Sequence, residues 1–179
     1  MSEGIRMSLP FARHLAENMV ELLRPYCQRI EIAGSIRREK PTVGDIEIVL
    51  IPAMQPDLLG VWSFSPGLIS ETLANDGFLL TKNGDHFKKA HLSNGRASFD
   101  IFLTTPEQWG VIFTLRTGPE EFSHRIVTRR NQGGLLPSFL RVKEGRVWNG
   151  SVAMETPEEE DFFKAIEIPY ILPKERREI

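Results

Sequence analysis

The chain has 179 residues, of which 41% are hydrophobic and 26% charged, and its net charge is −2 at pH 7. These values are ordinary for a globular protein. The chain is long enough to form one domain, or one domain and a small lobe, with a buried core. The sequence has no apolar run of membrane-spanning length and no recognisable secretory signal, so we expect an intracellular, cytoplasmic protein without membrane contact. Its single cysteine, Cys27, cannot form an internal disulfide, and we expect it behind the first helix.

The small net charge conceals a segregation of charge along the chain. Residues 41–80 carry five acids and no lysine or arginine, and residues 81–150 carry eleven bases against six acids. From residue 151 onward there are eight acids against four bases. A basic middle between acidic flanks fits a polyanion-binding groove or an ordinary mixed surface, and the sequence favours neither alternative.

In chain order, the first part of the sequence predicts helices that alternate with strands. Apolar residues at helical spacing follow Ser8, and Pro25 ends that pattern. Turn residues at 83–85 and 93–96 separate three later strands as hairpins. The predicted elements are a helix from Ser8 to Pro25, strands over 29–33 and 45–51, a loop from Met54 to Pro66, a helix over 67–75, and strands over 78–82, 86–92 and 97–103.

The second part predicts a smaller lobe of helices and one hairpin. The predicted elements are helices over 106–116 and 119–131, a hairpin of 139–142 with 146–149, and a last helix from Pro157 with Thr156 as its cap. Acidic residues in the first turn of the last helix suit the helix dipole. The predicted fold class is therefore α+β, with a mixed sheet and a helical layer followed by a small lobe.

The most informative segment lies between the first two predicted strands. Gly34 and Ser35 form a turn that is followed by two arginines, and the next strand carries Asp45 and Glu47. Side chains two apart on a strand point the same way, and two such carboxylates repel each other unless a cation lies between them. Oxygen ligands suit Mg²⁺, which substrate phosphates commonly complete, and the turn with its arginines could bind those phosphates.

A third acidic residue, Asp100, stands in an apolar strand. Large hydrophobic residues flank it on both sides, and a buried charge needs a partner or a metal. Alone, an acidic pair on a strand or a Gly-Ser turn is ordinary surface chemistry. In combination they predict Asp45, Glu47 and Asp100 as catalytic metal ligands in a protein that acts on a nucleotide.

Several ordered segments resemble the DNA polymerase X family of polymerase-beta-like nucleotidyltransferases. The segments are GSIRR with VGDIEIV, the passage SFDIFLTTPEQWGVIFTLRTGPEEFSHRI, and the ending from LPSFLRVKEG to PYILPKERRE. The resemblance runs from residue 29 to residue 177. It implies a nucleotidyltransferase palm over 1–104, including the N-terminal helix, and a thumb-like lobe over 105–179.

The same resemblance implies roles for individual residues. Asp45, Glu47 and Asp100 would hold two Mg²⁺ ions, for which Mn²⁺ could substitute, with Asp100 nearest the primer hydroxyl. The positions implied for nucleotide binding are Gly34, Ser35, Arg37, Arg38, Arg116, Thr117, Gly118 and Glu120. The positions implied for DNA binding are Arg125, Arg129 and Arg130, on a helix that follows the Thr-Gly turn.

Three positions depart from the pattern of the family. Glu47 stands where an aspartate is more usual, which lengthens the reach of that ligand. Leu115 and Arg116 replace an aromatic pair that excludes the 2′-hydroxyl, so ribonucleotide exclusion is expected to be weak. Ser123 replaces an asparagine that reads the minor groove, which weakens any expectation of fidelity.

The resemblance predicts a metal-dependent DNA polymerase that adds nucleotides from dNTPs, or from rNTPs, to a primer 3′-hydroxyl in short-gap repair. The segment before Gly34 is too short for the lyase domain and fingers of larger relatives, so we expect a minimal member without lyase activity. Its DNA affinity should be modest and salt-sensitive, and an accessory protein could supply the missing clamp. The alternatives are a nucleotidyltransferase acting on a small molecule, an RNA end or a protein, and a non-catalytic nucleic-acid-binding module.

Overall fold

The computed structural model of the chain describes residues 6–56 and 59–176. The chain forms two compact units, one up to Thr104 and the other from Thr105 onward, and each unit has its own hydrophobic core. Within the described ranges, no helix is both long enough and apolar enough to cross a membrane.

The first unit is built on a five-stranded sheet with helices on one face. Its elements in chain order are β1 (Met7–Ser8), α1 (Leu9–Leu23), β2 (Cys27–Ile32), α2 (Gly34–Arg37), β3 (Thr42–Val43), β4 (Ile46–Pro52), β5 (Met54–Pro56), β6 (Trp62–Phe64), α3 (Pro66–Asn75), β7 (Leu79–Asn83), β8 (Phe87–His91) and β9 (Ser98–Leu103). The strand order is β2-β4-β9-β8-β7, in which β4 and β9 run parallel and the other neighbours antiparallel. The predicted α+β fold with a mixed sheet is confirmed.

The core of the first unit lies between the sheet and the helices α1 and α3. Ile48 and Leu50 of β4 and Ile101 of β9 are fully buried and share one cluster with Leu23 of α1 and Leu73 of α3. Because side chains alternate along a strand, the neighbours of these residues point to the opposite face of the sheet. The charged residues of β4 and β9 are therefore displayed on the face that the two helices leave uncovered.

Helix α1 follows the predicted pattern closely. Ser8 precedes it in an extended conformation, with φ −67° and ψ 148°, and Pro10 occupies the first turn. The buried side chains recur at helical spacing and are Ala12, Ala16, Met19, Val20 and Leu23. The α-helix ends before Pro25, and a 3-10 turn leads into β2, where Cys27 packs against the core as predicted.

Two pairings in the first unit were not predicted. The segment from Met54 to Pro66, predicted as a loop, contains strands β5 and β6, which form an antiparallel hairpin. That prediction was wrong because the hairpin buries no apolar face, and Trp62 stays 62% exposed. Strands β1 and β3 also pair, but two-residue strands show no periodicity that a sequence could reveal.

The second unit combines helices with a three-stranded antiparallel sheet of order β10-β11-β12. Its elements are α4 (Trp109–Thr117), α5 (Glu120–Val127), β10 (Leu140–Lys143), β11 (Arg146–Asn149), β12 (Val152–Met154) and α6 (Glu159–Ala165). Its core gathers Phe122 and Ile126 from α5, Val147 from β11, and Phe162 and Phe163 from α6. The predicted hairpin is confirmed, whereas the third strand, β12, was not predicted.

Two predicted helix boundaries in the second unit were wrong. The helix predicted over 119–131 ends at Val127, because Thr128 is extended, with φ −83° and ψ 136°, and the carbonyl of Arg125 accepts the amide of Leu135 over 2.9 Å. The last helix begins at Glu159, and Glu158 caps it by exchanging hydrogen bonds with Asp161. Thr156, the predicted cap, is fully buried instead, and its carbonyl accepts the amide of Gly110 over 3.0 Å.

A buried ion pair fixes the end of the second unit. Arg176 is 1% exposed, and its guanidinium donates to Glu159 over 2.7 Å and to the carbonyl of Ile171 over 3.1 Å. The guanidinium also lies 5.2 Å from the ring centre of Phe163 and 5.7 Å from that of Tyr170. The arginine thus joins the last described residues to α6 by charge, hydrogen bonds and aromatic contact.

Candidate functional site

A row of charged residues crosses the face of the first unit's sheet that lies opposite helices α1 and α3. Glu47 on β4 is the direct neighbour of Asp100 on β9, and Asp100 is the direct neighbour of Lys89 on β8. The next position in the row is Lys82 on β7. The parallel pairing of β4 with β9 therefore places two of the predicted site residues side by side, and the antiparallel pairing adds a lysine.

The ammonium group of Lys89 lies between two of the predicted metal ligands. Its nitrogen is 3.0 Å from Oδ1 of Asp100 and 3.2 Å from Oδ2 of Asp45. The side chains of Lys89 and Asp100 are 25% and 20% exposed, and that of Asp45 is 49% exposed. The expectation that Asp100 needs a partner is thus met within the protein, by a residue that sequence analysis missed.

The two neighbouring carboxylates affect the pKa of Lys89. Burial by itself would lower the pKa of the ammonium group, but the contacts with Asp100 and Asp45 outweigh burial, and the pKa is raised above its ordinary value. Lys89 is therefore a permanent cation at neutral pH, held between two carboxylates.

Glu47 packs against the turn that follows β2. Gly34 opens the four-residue helix α2 with a φ of +59°, and a Cβ atom at this position would overlap the carboxylate of Glu47. The amide of Ala33 donates to the carbonyl of Glu47 over 2.8 Å, which fixes the turn to β4. Only glycine fits here, because it accepts a left-handed conformation and leaves room for the carboxylate.

The phosphate-binding residues predicted for the first unit lie on or beside this turn. Ser35 and Arg37 belong to α2, and Arg38 follows it directly; all three side chains are half-buried. The first unit thus brings the predicted turn next to Glu47, and Glu47 next to Asp100.

The carboxylates of Asp45, Glu47 and Asp100 are chemically suited to bind a divalent cation, and those of Asp45 and Asp100 also lie close enough together to share one. Oxygens of Asp45 and Asp100 lie within 3.2 Å of one nitrogen atom, so they already surround a common cation position. Carboxylate oxygens are the ligands that Mg²⁺ and Mn²⁺ prefer. Among the described residues, however, no three Asp, Glu, His or Cys side chains are gathered into a metal-binding group. The side chain of Glu47 lies against Gly34, and the metal role of the trio stays a prediction.

The nucleotide-binding residues predicted for the second unit surround the end of α4. Arg116 and Glu120 are exposed, whereas Thr117 is fully buried. Gly118 follows the helix, and a Cβ atom there would come within 2.5 Å of the Phe122 ring. The glycine is therefore required by the close approach of α5 to the turn.

The arginines predicted to bind DNA differ in their surroundings. Arg125 is half-buried on α5, whereas Arg129 and Arg130 lie beyond the end of that helix, contrary to prediction. Arg129 donates to the carbonyl of Leu140 over 3.2 Å. Arg130 donates to the carbonyl of Ile166 over 3.0 Å and forms an ion pair with Glu167 at 3.3 Å. Arg129 and Arg130 therefore each make contacts that stabilise the second unit, in addition to the DNA binding predicted for them.

Sequence reasoning could have found Lys89 from one signal. The turn at 93–96 joins two predicted strands, and a hairpin register that pairs His91 with Ser98 places Lys89 opposite Asp100. An alternating strand that carries Lys88 and Lys89 gives one lysine to each face, and only Lys89 shares the face of Asp100. Lys88 instead points to the core side, where it is buried and donates to Asn83 over 2.7 Å.

Comparison with solved structures shows that this fold resembles that of polymerase beta. The structure of Leishmania infantum polymerase beta, described as a ternary P/T complex, matches with a TM-score of 0.74 and 17% sequence identity. The match covers 96% of this chain and 77% of that chain. No protein-family model matches the sequence, and no curated protein matches it. The comparison thus establishes a polymerase-beta-like fold, and the resemblance to the X family rests on the sequence motifs.

Proposed function

We propose that the chain is a metal-dependent nucleotidyltransferase that adds nucleotides to the 3′-hydroxyl of a DNA primer, in the synthesis that fills short gaps. One observation carries the proposal: Asp45 and Asp100 converge on a single cation position beside Glu47. The Gly34 turn packs directly against that glutamate. The polymerase-beta-like fold supports the same class of reaction.

In this proposal Asp45, Glu47 and Asp100 hold the divalent ions, Mg²⁺ or Mn²⁺. Two such ions, when bound, would lower the pKa of the attacking hydroxyl and offset the charge of the leaving pyrophosphate. Asp100 is less exposed than Asp45, 20% against 49%, so we assign it to the inner position near the primer hydroxyl. The carboxylates would act by holding these ions and not by contacting the triphosphate, whose charge has the same sign as theirs.

The remaining predicted residues are assigned to binding. The hydroxyl of Ser35 and the guanidinium groups of Arg37 and Arg38 donate to the triphosphate, and Gly34 lets the backbone approach it. In the second unit we assign Arg116, Thr117, Gly118 and Glu120 to the nucleotide, and Arg125, Arg129 and Arg130 to DNA phosphates. Arg130 contacts both Ile166 and Glu167, and Arg129 donates to the carbonyl of Leu140. Arg130, the more heavily engaged of these two, is therefore the weakest of the three candidates.

The experiment that tests the proposal is primer extension on DNA with a single-nucleotide gap. Each dNTP and each rNTP is offered separately with Mg²⁺, with Mn²⁺ or with EDTA. We expect insertion of the nucleotide complementary to the gap, only in the presence of a divalent ion. Asp100→Asn should abolish insertion, and the matched control Asp76→Asn, at the end of α3, should not. No insertion by the wild-type protein, or insertion by the Asp100 variant, would refute the assignment.

A second candidate function is nucleotidyl transfer to an acceptor other than DNA. It is favoured by one observation: Arg116 is exposed where the family resemblance places an aromatic barrier against the 2′-hydroxyl. The same assay separates the two candidates. Preference for rNTPs and indifference to the template base would favour the second, whereas templated insertion of dNTPs would favour the first.

A further inference from the structure

We propose that Lys89 is a built-in counter-ion of the carboxylate site, which occupies the cation position in the metal-free protein and must leave it when a divalent ion binds. The inference rests on the proposed function, because it assumes that Asp45 and Asp100 are metal ligands. It goes beyond that function by assigning to Lys89 the control of metal affinity at this site.

The register between β8 and β9 brings Lys89 and Asp100 into contact. Lys89 and Asp100 are direct cross-strand neighbours on one face of the sheet, where oppositely charged side chains attract each other. Asp45 comes from a different part of the chain, the loop that leads into β4, and its Oδ2 accepts a hydrogen bond from the same ammonium over 3.2 Å. One cation thus bridges two carboxylates that the fold brings together.

The position of the ammonium is the position that a divalent ion would need. Both aspartates present an oxygen to the same nitrogen, at 3.0 Å and 3.2 Å. A Mg²⁺ or Mn²⁺ ion that is bound by both carboxylates must approach their oxygens more closely than the ammonium does, since Mg²⁺ to oxygen distances are about 2.0–2.1 Å. The lysine and the metal therefore compete for the same oxygens.

In the metal-free protein, the positive charge of Lys89 offsets part of the negative charge of the carboxylates. Without Lys89, the row of Glu47 and Asp100, with Asp45 beside it, would carry three carboxylates on one face of the sheet. An exposed ion pair is worth little, but Lys89 and Asp100 are each at least three-quarters buried and so are less screened by solvent.

The neighbouring lysine supplies a matched control. Lys82 is the next residue of the same row, on β7, and its ammonium lies 5.5 Å from the centre of the Phe87 ring. Removing Lys82 deletes one positive charge from the same face of the sheet but leaves the contact of Lys89 with the aspartates in place. A difference between the two variants therefore reports the direct contact rather than the general field of the sheet.

The test is calorimetric titration of Mn²⁺ into the metal-free protein, together with thermal unfolding in EDTA. Lys89→Met should bind Mn²⁺ about tenfold more tightly than the wild type, equivalent to ~1.4 kcal/mol, because the competing cation is gone. The same variant should melt at a lower temperature in EDTA and recover more than the wild type when Mn²⁺ is added. Lys82→Met should match the wild type in both measurements. Lys89→Gln serves as a second variant if the methionine variant does not fold.

The outcomes separate the inference from the proposed function. Equal or weaker binding of Mn²⁺ by the Lys89 variants overturns the role of Lys89 and leaves the metal site standing. No binding by the wild type and by both variants overturns the metal site, and the inference falls with it. Asp100→Asn must abolish binding in every background, and binding that survives this change would place the ion elsewhere and refute both.

Discussion

Removal of Arg176 is expected to destabilise the second unit by about 3–5 kcal/mol, the usual cost of breaking a buried ion pair from one side. In Arg176→Met the carboxylate of Glu159, whose side chain is 4% exposed, keeps a hydrogen bond from the Tyr170 hydroxyl at 3.2 Å but loses its cation. The carbonyl of Ile171 also loses a donor. Methionine fills much of the same space, so the cost arises from charge rather than from a cavity.

The double variant distinguishes charge from packing. In Arg176→Met with Glu159→Gln the buried position no longer holds an unpaired charge, and the glutamine can still accept from Tyr170. We therefore expect the double variant to cost at least about 2 kcal/mol less than the sum of the two single variants, since contacting groups of this kind couple by about 0.5–3 kcal/mol. Lys143→Met is the control, because its ion pair with Glu144 is exposed and should contribute less than about 1 kcal/mol.

Urea unfolding followed by tryptophan fluorescence measures these differences. Trp109 on α4 is fully buried and reports the second unit, whereas Trp62 lies in the first unit, so the series is made in a Trp62→Phe background. An Arg176→Met variant that unfolds within about 1 kcal/mol of its parent, or effects of the two changes that simply add, would contradict a stabilising buried ion pair.

Three further predictions concern the first unit and the sugar of the nucleotide. Gly34→Ala should lower the free energy of unfolding by about 2 kcal/mol or more, because the left-handed backbone and the Glu47 carboxylate both oppose a side chain. Gly67→Ala, in open space within helix α3, should leave the stability unchanged or raise it by up to about 1 kcal/mol. Equal stability of the two variants would contradict the close approach at Gly34. Burial raises the pKa of the Cys27 thiol from 9.0 to about 12, so native protein should react slowly with thiol reagents at pH 8 and quickly once unfolded in urea. Since the pKa of this thiol is higher in the folded state, its contribution to stability is complete below about pH 9 and is lost as the pH rises towards 12. Rapid labelling of the native protein at pH 8 would contradict the raised pKa. Arg116→Tyr should raise the ratio of kcat/KM for dNTPs over rNTPs by about tenfold, because a ring at this position would meet the 2′-hydroxyl; an unchanged ratio would place the residue away from the sugar.

The sequence predicted the elements that have a strong period or a clear stop signal. Helix α1 was predicted with nearly its true bounds, because its apolar stripe is regular and Pro25 prevents its continuation. Strands β4 and β9 were predicted because apolar residues alternate with the acids at positions 47 and 100. Strand β4 holds Glu47 and strand β9 holds Asp100, whereas Asp45, predicted to open the first of these strands, lies in the loop directly before β4. Much of the candidate site was therefore accessible from sequence patterns.

Features that depend on tertiary contacts were not accessible in this way. Helix α5 ends early because Thr128 is extended and the later residue Leu135 donates its amide to the carbonyl of Arg125. A contact with a residue ten positions further along is not visible in the local sequence pattern. The ion pairs of Lys89 require the register between β8 and β9 as well as the loop before β4. Asp45 and Asp100, which the sequence predicts as ligands of a metal, do surround a cation, but that cation is the ammonium group of Lys89.

The most direct test of nucleotidyl transfer is a single-turnover measurement of pyrophosphate release, with protein in excess over DNA that carries a single-nucleotide gap and with the complementary dNTP. We expect one pyrophosphate for each gap filled, a requirement for Mg²⁺ or Mn²⁺, loss of release in Asp100→Asn, and normal release in Asp76→Asn. Absence of pyrophosphate with the wild-type protein, or release that survives the loss of the Asp100 carboxylate, would contradict the assignment of this site.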